Sequence, residues 1–513
     1  MEALERDAFE VLRLVRSIKN SLAPINQMPP EVLSLTLDHC NHHEDRDLIA
    51  LTHVCHGWRD IFISRSSLWT RLQFTNIDKT KTYIQRSQFS PLELHLEGYR
   101  VINDAFTLAI PHLYRVKSLT MDTCHLPSIL GHIRCHLPLL DVLNIRLFSS
   151  DTDQAVLDNS LSNGDLSSLS NLCLDTVTLP LPWKMANLQV VNLIHLFHTY
   201  KTTQILDFFE SAPLLHTISL DYPPPDSPDA PPGRIVHLRH LREFWIHSES
   251  SQSSHSTLLH HLHIPIGASL TSVLWPHGEE SPLLDYLPER SPNFSNISHI
   301  TTINIIFYLH QALIQLSGPS GSLHICARWG SRETPHTSDS QILRSLSPLI
   351  CSTTQWLAIS GYERPSLAQL TECPISQMFL SMNNLRTLVL LDCEYLPFIL
   401  ALDPEQSPSR PVPCPSMEEL LLYNKKDKPL VNVEPFISMA KNRASRGVKL
   451  SLVKFFEVPD NTYREQVLAL IAQAGPWGEI LATLKWDDVP GVELDESEWD
   501  HFFSSGSPVI GSL

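Results

Sequence analysis

A chain of 513 residues, 42% of them hydrophobic, has material for more than one packed core and is not a disordered polypeptide. Its 55 acidic side chains outnumber 38 basic ones, for a formal charge of -17, and no local basic cluster offsets them, which excludes a general binder of nucleic-acid backbones. No apolar run approaches the roughly 18 to 20 residues of a membrane span, and the opening Met1-Glu2-Ala3-Leu4-Glu5-Arg6-Asp7 is charged where a signal peptide is apolar, so a cytoplasmic or nuclear protein without membrane partners is expected.

Leu4, Ala8, Val11, Leu12, Val15 and Ile18 fall on one face of a helix that a turn closes at Asn20-Ser21. Fewer than three heptads are available for a dimerising coiled coil, so packing of this stripe against the segment that follows is the preferred expectation. That segment opens with Met28-Pro29-Pro30-Glu31-Val32-Leu33, in which proline sits at a first helical turn and an acid at the positive end of the helix dipole. Apolar residues recur at Val32, Leu33, Leu35 and Leu37, and a polar run from Asn41 to Asp47 interrupts them. A second helix is expected through Leu48, Ile49, Leu51, Val54, Cys55 and Trp58, and a third segment, 61–72, carries Leu68-Trp69. Three short helices in about fifty residues bury little surface, so apolar residues left on one face are expected to meet a partner.

Pro29, Glu31, Val32, Leu33, Leu37, Leu48, Leu51, Val54, Cys55, Trp58, Leu68 and Trp69 stand in the order and spacing of an F-box, which this stretch resembles. Met28 replaces the usual Leu, a near-isosteric change, and Leu37 stands where Phe is common. The resemblance implies docking on the Skp-type adaptor of a cullin-RING ubiquitin ligase. Pro29, Val32, Leu33, Leu37, Leu48, Leu51, Val54 and Trp58 would then supply the adaptor-facing apolar patch and the packing beneath it.

Beyond residue 89 short segments of the form L-x-x-L-x-L recur, beginning near residues 91, 116, 140, 169, 188, 215, 241, 270, 385 and 417. Most are spaced about 19 to 32 residues apart, the period of leucine-rich repeats, in which each unit gives one strand and a return helix or loop. The stretch 202–212 reads as such a return helix, stopped by Pro213. Residues 303–356 fit the pattern poorly, and the Asn expected after each strand is mostly missing. Pro-, Asp- and Ser-rich inserts at 221–234, 248–256 and 403–416 are expected to be loops. Asn461-Thr462 can cap a terminal helix running to Ala474, followed by an acidic tail.

Little suggests chemistry of its own. Gly318-Pro319-Ser320-Gly321 is one residue short of a nucleophile elbow, and neither a Walker-type loop nor a Gly-x-Gly-x-x-Gly occurs. Ten scattered cysteines read as reduced thiols. The chain has 26 histidines but no Cys-x-x-Cys pair, which argues against zinc. No catalytic, metal or cofactor site is expected.

The expected fold is therefore an α+β multidomain chain: an N-terminal amphipathic helix (1–23), a three-helix F-box (24–74), an irregular leucine-rich-repeat α/β solenoid (75–455), and a capping helix with acidic tail (456–513). The expected function is a substrate-recognition adaptor of a Skp-cullin-F-box ubiquitin ligase, whose repeats bind a protein target. The alternative is a leucine-rich-repeat interaction scaffold with no ligase role.

Overall fold

The computed structural model describes residues 2–33, 35, 45–97, 103–122, 137–146, 155–156, 166–178, 185–194, 200–221, 233–248, 255–274, 299–308, 311–328, 343, 353–361, 372–391, 393–404, 411–423, 434–448 and 450–456. These build a mixed α/β protein in two units, Met1–Trp275 with Asp285–Ser295, and Pro276–Leu284 with Asn296–Leu513. The first begins with α1 (Glu2–Ser21), α2 (Asp45–Thr52), α3 (His56–Ser64) and α4 (Ile77–Ser87). Its sheet consists of β1 (Arg71–Gln73), β2 (Leu92–Glu97), β3 (Val116–Asp122), β4 (Val142–Arg146), β5 (Asn171–Asp175), β6 (Val190–Ile194), β7 (Thr217–Asp221), β8 (Glu243–Ser248) and β9 (Ser269–Leu274). All nine are parallel and lie side by side in chain order.

The L-x-x-L-x-L segments explain that order. The first Leu does not lie in the strand; it closes a tight turn just before it. Leu140 N–H bonds Leu137 O at 3.1 Å, Leu169 bonds Leu166 at 3.0 Å, Leu188 bonds Met185 at 3.1 Å and Leu241 bonds Leu238 at 3.1 Å. Proline occupies the second position of two such turns, at Pro138 and Pro213, where its fixed φ suits the geometry. The carbonyl at the strand's entry then binds two N–H groups of the next unit: Asp141 O takes Ser170 and Asn171, Gln189 O takes His216 and Thr217, and His216 O takes Arg242 and Glu243. The second Leu of each segment falls into one in-register row, Leu72, Leu94, Leu119, Leu143, Leu172, Val191, Ile218, Phe244 and Leu270. Every member is buried, and each such side chain contributes about 1.5 to 3 kcal/mol of burial free energy. A strand can bury this face only against neighbours that carry the same pattern. Leu270 pairs with Phe244, so the segment reading that put Leu270 first is out of register; Ala268, which closes a turn on Pro265 O, precedes this strand.

The expected return helix is α5 (Thr202–Ser211), with Ile205, Leu206, Phe208 and Phe209 buried and Pro213 directly beyond its end.

In the second unit β10 (Thr302–Phe307) pairs antiparallel with β11 (Gln311–Gly318), which pairs antiparallel with β12 (Gly321–Arg328). On its other side β10 starts a parallel series with β13 (Trp356–Ser360), β14 (Thr387–Leu391), β15 (Glu419–Tyr423) and β16 (Leu452–Phe456). The poor fit of 303–356 thus has a structural reason, an antiparallel hairpin in an otherwise parallel scheme. The row Ile303, Leu357, Leu388, Leu420 and Val453 is buried as in the first unit. Helices α6 (Glu372–Ser381), α7 (Leu396–Leu402) and α8 (Glu434–Ser445) pack in succession, through buried Phe379, Phe398 and Phe436 among others.

Two expectations about the N-terminus need correction. The stripe on α1 does not pack against the following segment: Leu4, Val11, Leu12, Val15 and Ile18 are 53 to 78% exposed. Nor is 48–58 one helix, because Cys55 is extended (φ -157°, ψ 173°) and separates α2 from α3. The Thr52 hydroxyl turns back onto Ile49 O and the Thr52 carbonyl is taken by Arg59 Nε at 2.9 Å, which satisfies the α2 end and lets the chain turn. The predicted helix and acidic tail beyond residue 456 lie outside the described residues, as do the insert cores 222–232, 249–254 and 405–410.

Candidate functional site

The residues singled out near the N-terminus divide into two sets. Leu33 (2% exposed), Leu48 (2%) and Trp58 (8%) are buried, whereas Val32 (44%) and Val54 (53%) are exposed, as is Pro29, and Leu51 is half-buried. Leu37 lies outside the described residues. The expected adaptor-facing set left out Leu35 and Ile49, although the apolar spacing had marked both, and Ile63; all three are exposed.

Polar contacts hold these helices. Trp58 Nε1 donates to Asn26 Oδ1, and Asn26 Nδ2 donates to Asn20 O at 2.7 Å, which ties the 20–28 lead to α3. Trp58 meets Phe62 edge-on at 5.9 Å, and Trp69 Nε1 donates to Phe62 O at 2.8 Å. Both indoles are thereby anchored, while Val32 and Val54 stay exposed.

A second surface is the sheet face opposite the buried row. The alternating positions His95, Thr120, Asn144, Cys173, Asn192, Ser219, Trp245 and Thr271 form their own in-register row across β2 to β9. Strands about 4.8 Å apart make this a polar track on the order of 34 Å long. Beside it Asp122, Arg146 and Asp175 alternate in sign on consecutive strands, and Asp221 Oδ1 meets His247 Nδ1 at 2.8 Å. Asn144 Oδ1 and Asn192 Oδ1 are buried and accept no hydrogen bond from the described residues, and Asn192 is only 3% exposed. Between them burial pushes the Cys173 thiol up, while the charge and hydrogen bond of Arg146 pull it down and Asp175 adds a smaller upward push. The result is a neutral, largely buried thiol between two carboxamides whose oxygens are also buried, an arrangement poorly equipped for nucleophilic attack.

Each unit also has an open groove along the turns that precede its strands. One, of about 440 Å³, is lined by His216, Arg239, His240 and Arg242 with Pro265 and Ile266; the other, of about 670 Å³, by His299, Ser320, Thr353, Gln355, Arg386 and Glu418 among others. Ser320 belongs to the two-residue hairpin turn between the paired Gly318 and Gly321, and no imidazole or carboxylate of the described residues hydrogen-bonds its hydroxyl. Cysteines 55, 173, 326, 393 and 414 form no disulfide, and the described residues hold no group of three or more His, Cys, Asp or Glu that could bind a metal. They also contain no helix long and apolar enough to cross a membrane. Comparison with family models and with curated proteins gives no significant match to this chain.

Proposed function

We propose that this protein is a substrate-recognition adaptor: the helical segment around 24–74 acts as an F-box that docks on a Skp-type adaptor, and the parallel strands act as a degenerate leucine-rich-repeat solenoid that holds a protein target. The observation that carries the reading is the division within the N-terminal set, with Leu33, Leu48 and Trp58 turned inward while Val32, Val54 and their apolar neighbours Leu35 and Ile49 stay exposed. A helical segment that keeps apolar side chains in water beside a braced core has the makeup of a docking surface. The strand series supports the second half, because each strand in the first unit follows its predecessor in sequence and in space and carries a mostly polar row on the face opposite the apolar one. Such an adaptor needs no nucleophile, since its contribution is to hold a target near a ubiquitin-charged enzyme carried by another subunit. It would act in the cytoplasm or nucleus.

The test is co-purification of the tagged full chain with the Skp-type adaptor and cullin, beside a Val32→Asp with Val54→Asp variant. Changes at Leu33 or Trp58 would mix lost packing with lost contact, whereas these two positions lie outside the core. Retention of both partners by the wild type and of neither by the variant supports the reading. Adaptor without cullin turns it into the scaffold alternative, and capture of neither partner overturns it.

A further inference from the structure

Helix α1 leaves every large apolar side chain it carries in water: Leu4, Phe9, Val11, Leu12, Leu14, Val15 and Ile18 are all more than half exposed. Leu4, Ala8, Val11, Val15, Ile18 and Leu22 follow one another by alternating steps of four and three, the spacing of a coiled-coil seam, with Leu12 and Leu14 flanking it. Leu22 is in step because its N–H still bonds Ile18 O, at 3.3 Å. Phe9 lies off the seam.

Charge along the helix is polarised. Residues 4–10 hold Glu5, Asp7 and Glu10 against Arg6 alone, and residues 11–21 hold Arg13, Arg16 and Lys19 with no acid. A parallel partner of the same sequence would set acid against acid and base against base, and would leave Ala8 facing Ala8 as a gap in the seam. Run antiparallel about Arg13, the same seam sets Leu4 against Leu22 and Val11 against Val15, and fills the Ala8 gap with Ile18. Leu12 then meets Leu12 on one flank, and Leu14 meets Leu14 on the other. Glu5 falls opposite Lys19 twice, once at each end. Both the packing and the charge pattern are therefore complementary to the helix's own reverse.

We propose that α1 is a self-association element, pairing antiparallel with the α1 of a second copy of this chain. The seam spans fewer than three heptads, so the dimer forms and dissociates with concentration instead of being obligate.

The test is sedimentation of the full chain across the micromolar range. The expected result is a mass that rises from monomer to dimer, and a Val11→Asp with Val15→Asp variant that stays monomeric while keeping the wild-type melting curve, since both side chains are exposed. Glu5→Lys and Lys19→Glu should each weaken the dimer by roughly tenfold at low salt, two attractive pairs becoming repulsive, and the double variant should recover most of that loss. A wild type that is monomeric throughout overturns the proposal, as does a dimer that survives the Val11 and Val15 changes. Failure of the double charge reversal to recover what either single reversal lost overturns it as well.

Discussion

Arg443 on α8 is fully buried, and its guanidinium has backbone carbonyls for partners: Pro413 O at 2.6 Å from Nη1, Cys414 O at 2.7 Å from Nη2, and Leu402 O at 3.5 Å from Nη1. Burial lowers its pKa from the ordinary arginine value. Cys414 stands at φ +44°, outside the usual range for a residue with a side chain, and the two short bonds hold the carbonyls of that turn. Arg443→Met keeps the length of the side chain and removes every donor. Two charge-assisted bonds are lost and the Pro413 carbonyl is stranded, while Cys414 O keeps the Met417 N–H at 3.1 Å, which together costs about 3 to 5 kcal/mol. The Cys414 thiol reports the loss directly, because it is buried, donates to Phe379 O at 3.3 Å, and can meet a reagent only when the turn opens. Native-state labelling by a thiol reagent, read peptide by peptide, should therefore quicken at Cys414 by between about a hundredfold and several thousandfold in the variant. Labelling within about threefold of the wild-type rate would refute the argument that Arg443 holds this turn.

The same thiol gives a pH dependence. Burial pushes Cys414 from 9.0 up to about 12, against a smaller downward pull from Arg443, so its contribution to stability is whole below pH 9 and is lost as pH rises towards 12. Chemical denaturation of wild type and Cys414→Ala between those limits should show the wild type declining by up to about 1.4 kcal/mol per pH unit more than the variant; parallel declines would sink the linkage. Asn192→Leu exchanges a buried amide whose oxygen accepts no bond from the described residues for an apolar side chain of similar size, and should raise stability by about 1 kcal/mol in thermal melting. Gly318→Ala would bring a Cβ within 2.1 Å of His299 O, a backbone atom with no freedom to swing aside. It should cost about 2 kcal/mol or more, and an unchanged melting curve would show that the hairpin is not so tightly seated.

The strand series was legible in the sequence because one physical demand, a buried row shared by neighbours, writes the same apolar spacing into every unit. Leu119, Leu143 and Leu172 announce that row. What the spacing hid is that the leading leucines, such as Leu140 and Leu169, anchor turns and not strands, which is why Leu270 could be taken for the first leucine of its segment when it stands three residues further on, at the second. The hairpin of β11 and β12 was missed because its turn, Gly318-Pro319-Ser320-Gly321, was weighed as a loop serine and not as punctuation between two strands. At the N-terminus the pattern collected Leu33, Leu48, Trp58, Val32 and Val54 but could not divide them, because inward and outward positions of a short helix share one period. The break at Cys55 left no trace in that pattern either, since tertiary contacts such as Arg59 to Thr52 O are what end α2.

The two surfaces proposed to act together are joined within the first unit by aromatic packing. Phe62 of α3 is fully buried and takes Trp69 Nε1 at its carbonyl; Trp69 meets Tyr83 of α4 edge-on at 5.0 Å, and the Arg86 guanidinium lies 4.3 Å from the Trp69 ring. Two residues after Trp69 the chain becomes β1, the three-residue first strand of the sheet. A terminal strand exposes unpaired backbone and apolar side chains, and β1 answers this by being short and by lying against α4. The cover extends further: buried Arg115, entering β3, donates to Ser90 O at 2.7 Å and to Ser87 Oγ at 3.2 Å, fastening the end of α4 to the third strand. Helix α4 is thereby the cover over the first strand of the sheet that carries Asn144 and Asn192, α3, which follows the turn at Val54, is tied to it through Phe62 and Trp69, and the described chain is continuous from 45 to 97. A partner held on the helices and a target held on the polar face would consequently keep a fixed mutual orientation, which is the property a proximity-based adaptor requires.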